Sequence, residues 1–287
     1  IPVLSVEPGH RNKRTQRSGC DWLDGDFDNS QVMDQDGGAQ VDPAELCHKL
    51  MEAALAQGAI MVQGTVEGVE TATVEGLDGE PLQAVSGVRV DGQVIPATDF
   101  VVTMGPWSVL AQEWFGVPIP ITGIKSTSIV FTGTEVEPFA LFCGEDDRFN
   151  THLEVYPRTS GSVYVCGVGG SEHVSPDRLR AGEYPPSDVP ADPARAEAAA
   201  ASIGTMSSTF RGRTPDMVQA CMRPCPPDGL PLMGKISHLR GAYISAGHNC
   251  WGILWAPVSG KAMSEVVLDG AASCVDLAPF SPHAFVP

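Results

Sequence analysis

The stretch from Gly241 to Gly270 constrains the fold more than any other part of the sequence. Small and apolar residues predict a short buried strand at Gly241–Ala246. Two glycines frame a tight turn at Gly247–Gly252, and Ala256–Asp269 is predicted to be a helix that ends at Gly270. A strand, a glycine turn and a helix in this order are typical of an α/β fold.

This turn is also the first candidate binding site in the chain. Glycine lets the backbone approach a ligand closely, because it has no Cβ atom. The free N–H groups at the start of the following helix favour a group that carries negative charge. A glycine turn is also an ordinary α/β connection, so other parts of the sequence must decide between the two interpretations.

Composition indicates a globular protein that acts on small molecules. With 287 residues, 43% of them hydrophobic, the chain can bury the core of one or two domains. Its formal net charge of -17 argues against nucleic acid and anionic membrane surfaces as partners. No apolar run reaches the roughly 18 residues of a membrane span. We therefore expect a cytoplasmic setting, with an organelle interior left open because a targeting segment could have preceded Ile1.

The eight cysteines are predicted to be reduced thiols. They form no C-x-x-C pair and have no histidines at zinc-ligand spacing, so no metal site is predicted. No N-x-[ST] sequon accompanies them, which disfavours secretion.

The first 116 residues combine a polar segment with predicted helices and strands. Residues 1–36 are polar with little periodicity and predict a surface loop. Asp42 followed by Pro43 predicts a helix that ends at Gly58, with Leu50 on its apolar face, and a strand is predicted from Gly58 through Val66.

A hairpin and a buried strand follow. The alternation around Asp91-Gly92 predicts a β-hairpin. Phe100–Ser108 predicts a buried strand of the parallel type, with Gly105 allowing close backbone approach at its end.

The middle of the chain predicts an antiparallel sheet. Residues 118–167 are rich in strand formers, and residues 172–192 are acidic and proline-rich, which predicts a loop. Asp192-Pro193 then begins an alanine-rich helix that reaches about Phe210.

Several motifs together resemble one enzyme family. They are Arg-Pro-x-x-x-Asp-Gly-x-Pro-x-x-Gly from Arg223, Ser-Ala-Gly-His-x-x-Trp-Gly-Ile from Ser245, Ala-Pro-x-x-Gly-Lys from Ala256 and Asp-Leu-x-Pro-Phe-x-Pro-x-x-Phe from Asp276. These motifs are similar to those of the D-amino-acid oxidase-like FAD-dependent oxidoreductases, which include glycine oxidase, sarcosine oxidase and D-amino-acid dehydrogenase. With Glu-Val-Tyr-Pro-Arg at 154–158, it looks most like a branch from fungi, plants and algae. The resemblance runs from about Gly37 to Phe285.

The resemblance implies a fold and an activity. The expected fold is α/β, with an FAD-binding domain interleaved with an antiparallel-sheet substrate domain. The implied segments are 1–116 and 221–287 for flavin binding and 117–220 for the substrate. The implied reaction is oxidation of an amine or amino acid, in which flavin N5 accepts a hydride from the carbon that bears nitrogen.

One part of the expected FAD-binding domain is not found in the sequence. A dinucleotide fold should open with a strand, G-x-G-x-x-G and a helix, in a βαβ unit of about 30 residues or more. No such unit precedes the family-like region. We expect the chain to be a fragment of an enzyme. The alternative is a non-catalytic binding or structural protein that retains the fold without productive FAD binding.

The resemblance also implies which residues would contact FAD. They are Val66, Met104, Gly105, Trp107, Gly247, His248, Trp251, Gly252 and Ile253. For Val66 the contact would come from the backbone, and its side chain is equally consistent with a core valine. The His248 ring could reach the flavin edge or close its own turn, and the backbone N–H groups are the favoured contact.

Arg223 is the main candidate for binding the substrate. A guanidinium can grip a carboxylate with two parallel hydrogen bonds, but an arginine here could instead bridge buried carbonyls. Tyr156 and Arg158 could line the substrate cavity or be ordinary strand residues. Cys221 stands where sarcosine-oxidase-like sequences bind FAD covalently, while the adjacent Arg-Pro resembles the non-covalent branches. No catalytic residue and no oligomeric state is predicted.

Overall fold

Three separate stretches of chain build each of the two units in this computed structural model. The first unit contains Ile1–Ala53, Lys125–Glu172 and Val189–Cys221, and the second contains Ala54–Ile124, His173–Asp188 and Met222–Pro287. The structure describes residues 1–9, 20–76 and 78–285. These units follow other bounds than the domain segments 1–116, 117–220 and 221–287, which remain a prediction.

Short strands make up most of the secondary structure, with helices between them. The strands are β1 (Val3–Pro8), β2 (Phe27–Asp34), β3 (Val66–Glu75), β4 (Pro81–Val90), β5 (Gln93–Pro96), β6 (Phe100–Val102), β7 (Thr122–Phe131), β8 (Ala140–Cys143), β9 (Glu154–Pro157), β10 (Val163–Cys166), β11 (Glu172–Val174), β12 (Met217–Cys225), β13 (Leu232–Lys235), β14 (Leu239–Arg240) and β15 (Ala242–Ala246). The α-helices are α1 (Pro43–Ala56), α2 (Ala111–Phe115), α3 (Pro176–Arg180), α4 (Pro193–Met206) and α5 (Gly252–Asp269). Short 3-10 helices lie at Gly105–Leu110, Asn249–Trp251 and Ala278–Phe280.

Most residues of an eight-stranded sheet lie in the first unit. Its order is β11-β7-β10-β9-β8-β1-β2, and β12 pairs with β7. The pairs β7–β10, β10–β9 and β9–β8 are antiparallel, as predicted for this region, whereas β1 runs parallel to β8. One face of the sheet and helix α4 enclose a core that contains Leu4, Val6, Trp22, Phe131, Val155, Val165, Ile203 and Phe210. The Phe131 and Phe210 rings lie 5.0 Å apart at its centre.

Two smaller sheets form the second unit. Strand β15 lies between β13, which is antiparallel to it, and β6, which is parallel to it. The other sheet has the order β14-β4-β3, with β5 paired to β4. Their shared core contains Val102, Phe115, Ile119, Ile121, Leu232 and Ile244. The predicted parallel character of the Phe100 strand is therefore confirmed. Its predicted length is wrong, because the strand ends at Val102 and Gly105–Leu110 form a 3-10 helix.

Several local predictions are also confirmed. Asp91 and Gly92 have positive φ angles of 46° and 74° in the turn between β4 and β5, as a tight hairpin turn requires. The Asp42 carboxylate accepts hydrogen bonds from the Ala44 and Glu45 amides at the start of α1. Asp192 caps α4 in the same way.

The prediction of a surface loop over residues 1–36 is wrong where it can be compared, and its residues 10–19 lie outside the described residues. Strands β1 and β2 occupy much of this segment, and Leu4 and Val6 are completely buried. Strand β1 is short, and it is stabilised by parallel pairing with β8, more than 130 positions away along the chain. A partner so distant leaves no trace in the local pattern.

Three further expectations need correction. No strand runs from Gly58, because Ile60, Met61 and Val62 are exposed and unpaired, and β3 begins at Val66. Helix α1 forms, yet none of its residues is buried and Leu50 is 57% exposed. The segment 172–192 also contains β11 and α3 besides loop.

Leu4 and Leu50 give a matched test of the first correction. Leu4→Ala removes a fully buried side chain and should lower the free energy of unfolding by about 2–5 kcal/mol, since it leaves a cavity. Leu50→Ala should change it by less than about 0.5 kcal/mol, because Leu50 is on the surface. Urea unfolding followed by circular dichroism measures both. Equal effects would contradict a buried β1.

Candidate functional site

The turn after β15 has a specific backbone geometry. Gly247 has a φ of 88° and Asn249 a φ of 51°, and the short 3-10 helix at Asn249–Trp251 runs directly into α5. Helix α5 therefore begins at Gly252, four residues before the predicted start, and Pro257 lies within it. At its other end Gly270 adopts the left-handed conformation, as predicted, and its N–H bonds Val266 O at 3.1 Å.

Gly247 cannot be replaced without strain, for two reasons. Its φ lies in the region that side chains disfavour. A Cβ atom at this position would also lie 2.5 Å from Pro226 Cγ, so the proline-rich segment after β12 packs tightly on the turn. Shape and backbone conformation both require glycine at this position.

The N-terminus of α5 carries no side-chain cap. Trp251 is its N-cap residue and makes no capping hydrogen bond. The first N–H groups of a helix lack partners within the helix, so they and the helix dipole can bind a negatively charged group.

His248 is held within the turn itself. Its Nε2 atom lies 3.0 Å from Ser259 Oγ on α5. Burial lowers the pKa of His248 below its usual 6.5, so the imidazole is neutral near pH 7. This contact favours a ring that closes its own turn and leaves the backbone to face a ligand.

Trp251 and Ile253 are exposed at the start of α5. Trp251 is 50% exposed and Ile253 51%, and the Trp251 ring stacks on Trp255 at 5.7 Å. Large apolar side chains at this exposure form a surface on which a flat apolar group could lie.

The second predicted contact segment lies beside the first. Strands β6 and β15 are parallel neighbours, with Val102 paired to Ile244. Both strands therefore end at one edge of the sheet, where Met104 and Gly105 follow β6 and Gly247 follows β15. Ligands of open α/β sheets bind at this edge, beyond the carboxyl ends of parallel strands.

Gly105 and Trp107 differ in how closely they are packed. Gly105 has a φ of 56°, and no heavy atom lies within 4 Å of where its Cβ would stand. Trp107 is fixed by its Nε1, which donates to Tyr184 O at 2.7 Å. Gly105 thus leaves open space beside the strand end, while the indole of Trp107 is part of the scaffold.

An open groove lies next to this edge. Its volume is about 550 Å³, and its walls include Val101, Thr103, Ser245, His248, Gly252 and Ser259. The predicted residue Val66 is placed elsewhere by strand pairing, because it opens β3 in the other sheet, opposite Val90.

Arg223 is oriented toward the same turn. Its Nη1 lies 3.4 Å from Asn249 Oδ1, and this is its one side-chain hydrogen bond within the described ranges. No carboxylate of those residues lies within ion-pair distance of the guanidinium, and no buried carbonyl accepts from it. Most of its five donors therefore remain available for a ligand.

Asn249 is the residue that sequence reasoning missed. It adopts a positive φ and directs its side chain to Arg223. Asparagine tolerates this backbone region better than most residues, so its place in Gly-His-Asn was the available signal.

The remaining candidates lie in the first unit. Arg158 Nη1 is 3.1 Å from Asp42 Oδ2, and its guanidinium lies over the Tyr164 ring at 5.1 Å. The Tyr156 hydroxyl donates to Glu154 Oε2 at 2.6 Å. Arg158 already has a carboxylate partner, which weakens it as a ligand-binding group, and both assignments stay predictions.

The described residues bear on the predictions about cysteines, metal sites and membrane spans. All eight cysteines lie in the described ranges and none of them forms a disulfide, and Cys221 is exposed. Among residues 1–9, 20–76 and 78–285 no group of three or more His, Cys, Asp or Glu side chains could hold a metal. In the same ranges, no helix is both long and apolar enough to span a bilayer.

Comparison with known proteins assigns the family. The profile described as DAO, FAD dependent oxidoreductase, matches residues 16–266. The chain belongs to the DAO family. Among relatives of this DAO-family chain, TDA3 of Saccharomyces cerevisiae, provisionally named as an oxidoreductase, is 29% identical over 192 residues, which are 64% of this chain and 34% of TDA3. Glycine oxidase of Pseudomonas putida is 27% identical over 203 residues, 69% of this chain and 49% of that enzyme.

A solved structure supports the DAO-family fold. Glycine oxidase of Geobacillus kaustophilus superposes with a TM-score of 0.69 at 14% identity, over 100% of this chain and 75% of that one. The predicted α/β fold is confirmed. The chain spans between a third and a half of the length of TDA3 and of the Pseudomonas putida glycine oxidase.

FAD, the cofactor of the DAO family, fits part of what the structure offers. The uncapped start of α5, the open space at Gly105 and the left-handed turn at Gly247 suit a flat group that gains negative charge. The 287 residues contain no G-x-G-x-x-G for the pyrophosphate. The fit is therefore to the flavin end of the cofactor.

Gly247 and Gly260 give a matched test of the turn. Gly247→Ala should lower the free energy of unfolding by about 1–2 kcal/mol or more, from the left-handed backbone and the contact with Pro226. Gly260→Ala, in the open surface of α5, should raise it by about 0.5–1 kcal/mol, because alanine favours a helix. Thermal unfolding of both variants measures the difference. A neutral Gly247→Ala would refute the geometry described for the turn.

Proposed function

We propose that this chain takes part in FAD-dependent oxidation of the C–N bond of an amine or amino acid. The observation that carries the proposal is the placement of Arg223 against Asn249, in the turn between β15 and α5. When bound, FAD supplies at N5 an acceptor for the hydride of the carbon that bears nitrogen, and the imine product hydrolyses in water.

The turn would hold the flavin through its backbone. Gly247 and His248 offer N–H groups, and α5 adds its positive N-terminal end. Gly105 leaves room beside the neighbouring strand. Met104, Trp107, Trp251, Gly252 and Ile253 complete the proposed contacts, and Val66 is retained as a backbone contact. The exposed thiol of Cys221 is proposed not to bond the flavin.

Arg223 would bind the carboxylate of an amino-acid substrate. A guanidinium presents parallel donors that match a carboxylate, which fixes both the position and the orientation of the substrate. The single long hydrogen bond to Asn249 orients the side chain and leaves these donors available. Tyr156 and Arg158 are proposed as further substrate contacts on the sheet of the first unit.

The affinity of the chain for FAD tests this function against its alternative. We expect this 287-residue chain to bind FAD weakly, because the flavin-end contacts are present but the sequence holds no glycine-rich loop for the pyrophosphate. Titration followed by flavin fluorescence measures the affinity, and free riboflavin is the control ligand without pyrophosphate.

The outcomes separate three interpretations. Weak, saturable binding of both FAD and riboflavin supports the proposed turn. Tight binding of FAD alone would mean that an unrecognised segment holds the pyrophosphate. Absence of binding by either ligand favours the alternative, a non-catalytic binding or structural protein, for which the missing glycine-rich motif is the specific observation.

Arg223→Lys tests the role in substrate binding. The variant keeps the charge but loses the paired donors, so in flavin-loaded protein an amino acid should reduce the flavin more slowly, on the order of a hundredfold. An amine without a carboxylate should be affected much less. Rapid-mixing absorbance follows the reduction with both substrates.

Arg240→Lys is the control for this experiment. Arg240 is an exposed arginine on β14, outside the proposed site, and its replacement should leave both rates unchanged. Equal slowing of amino acid and amine in Arg223→Lys, or loss of bound flavin, would show that Arg223 supports the fold instead.

A further inference from the structure

The second face of the large sheet carries aromatic and polar side chains. Leu141, Val155 and Val165 point into the core of the first unit. Because side chains alternate along a strand, the intervening residues lie on the opposite face. Strand register places Glu154 of β9 between Phe142 of β8 and Cys166 of β10.

Glu154 is a carboxylate with one occupied oxygen. The Tyr156 hydroxyl at 2.6 Å and the Cys166 thiol at 3.7 Å both donate to Oε2. Within the part of the chain that the structure describes, Glu154 Oε1 has no hydrogen bond. It is also not one of the buried side-chain atoms that lack a hydrogen-bond partner. No Lys, Arg or His of that part forms an ion pair with this half-buried group.

Both donors to Glu154 are neutral groups. Burial, with Glu154 nearby, raises the pKa of Tyr156, and burial raises the pKa of Cys166 to about 12. Each therefore keeps its proton at neutral pH and donates a hydrogen bond to the carboxylate. The cluster of Glu154, Tyr156 and Cys166 accordingly holds a negative charge without an internal cation.

Aromatic rings flank this charge. The Phe142 and Tyr156 rings meet edge to face at 6.0 Å, and the Tyr156 and Tyr164 rings lie 6.3 Å apart at 30°. Phe142 is 39% exposed, so one ring beside Glu154 faces solvent. The Tyr164 face already accepts a cation, the guanidinium of Arg158.

A carboxylate beside aromatic rings selects one class of ligand. Organic cations gain from both the charge and the ring faces. A divalent metal ion would need several oxygen ligands, and among the residues that the structure describes no cluster supplies them. An anion would be repelled by Glu154.

We infer that Glu154, Tyr156 and Phe142 bind the ammonium group of a small organic amine, with Glu154 Oε1 accepting its hydrogen bond. Tyr156 holds the carboxylate in place and Phe142 covers the alkyl part of the ligand. This assigns a role to Glu154, which sequence reasoning did not single out.

Direct binding to the chain, without flavin, tests the site. Calorimetric titration with n-butylammonium at low ionic strength should show saturable binding, and 1-butanol should bind more weakly. Glu154→Gln removes the charge and should weaken n-butylammonium binding by about tenfold or more. Glu197→Gln makes the same change on the exposed surface of α4 and should have no effect.

Each outcome decides for or against the site. Binding that is lost in Glu154→Gln and kept in Glu197→Gln supports it. No saturable binding, equal affinity in Glu154→Gln, or equally tight 1-butanol overturns it. If circular dichroism shows that Glu154→Gln is unfolded, Phe142→Leu replaces it, and unchanged affinity in this variant then overturns the site.

Discussion

The parallel pairing of β6 with β15 is the contact on which the candidate site depends. It brings two chain segments, distant in sequence, to the same edge of one sheet. Each segment then turns through a glycine with positive φ, Gly105 in one and Gly247 in the other. Neither segment forms a site alone, because the first supplies open space and the second supplies an uncapped helix end.

Arg223 would extend this arrangement to a charged ligand. The guanidinium approaches the turn from β12 and is oriented by Asn249, whose unusual backbone conformation belongs to the same turn as Gly247. The backbone that would face the cofactor therefore also positions the proposed substrate-binding side chain. Pro226 packs closely against Gly247 in the same turn.

Local chemistry explains which features could be predicted from the sequence. The Asp42 and Asp192 caps, the Asp91-Gly92 turn and the glycine turn after β15 each depend on a few adjacent residues, and all are found. Strand β1 could not be predicted, because its partner β8 is remote in sequence. The stretch from Ile60 to Val62 has strand-forming residues but no paired neighbour, so propensity alone misled the prediction. Glu154 was missed because its significance lies in its cross-strand neighbours.

The Asp42 carboxylate contacts both the start of helix α1 and the Arg158 side chain. One of its oxygens caps α1, and the other pairs with Arg158, which directly follows β9 of the large sheet. The Glu45 amide and the Arg158 guanidinium hold the pKa of Asp42 below its ordinary 3.8. Since none of the residues of α1 is buried, the helix depends on its cap more than on packing. Protonation of this single group, as the pH falls through its lowered pKa, weakens the cap and removes the ion pair together, so acid loosens α1 and frees Arg158 in one linked step.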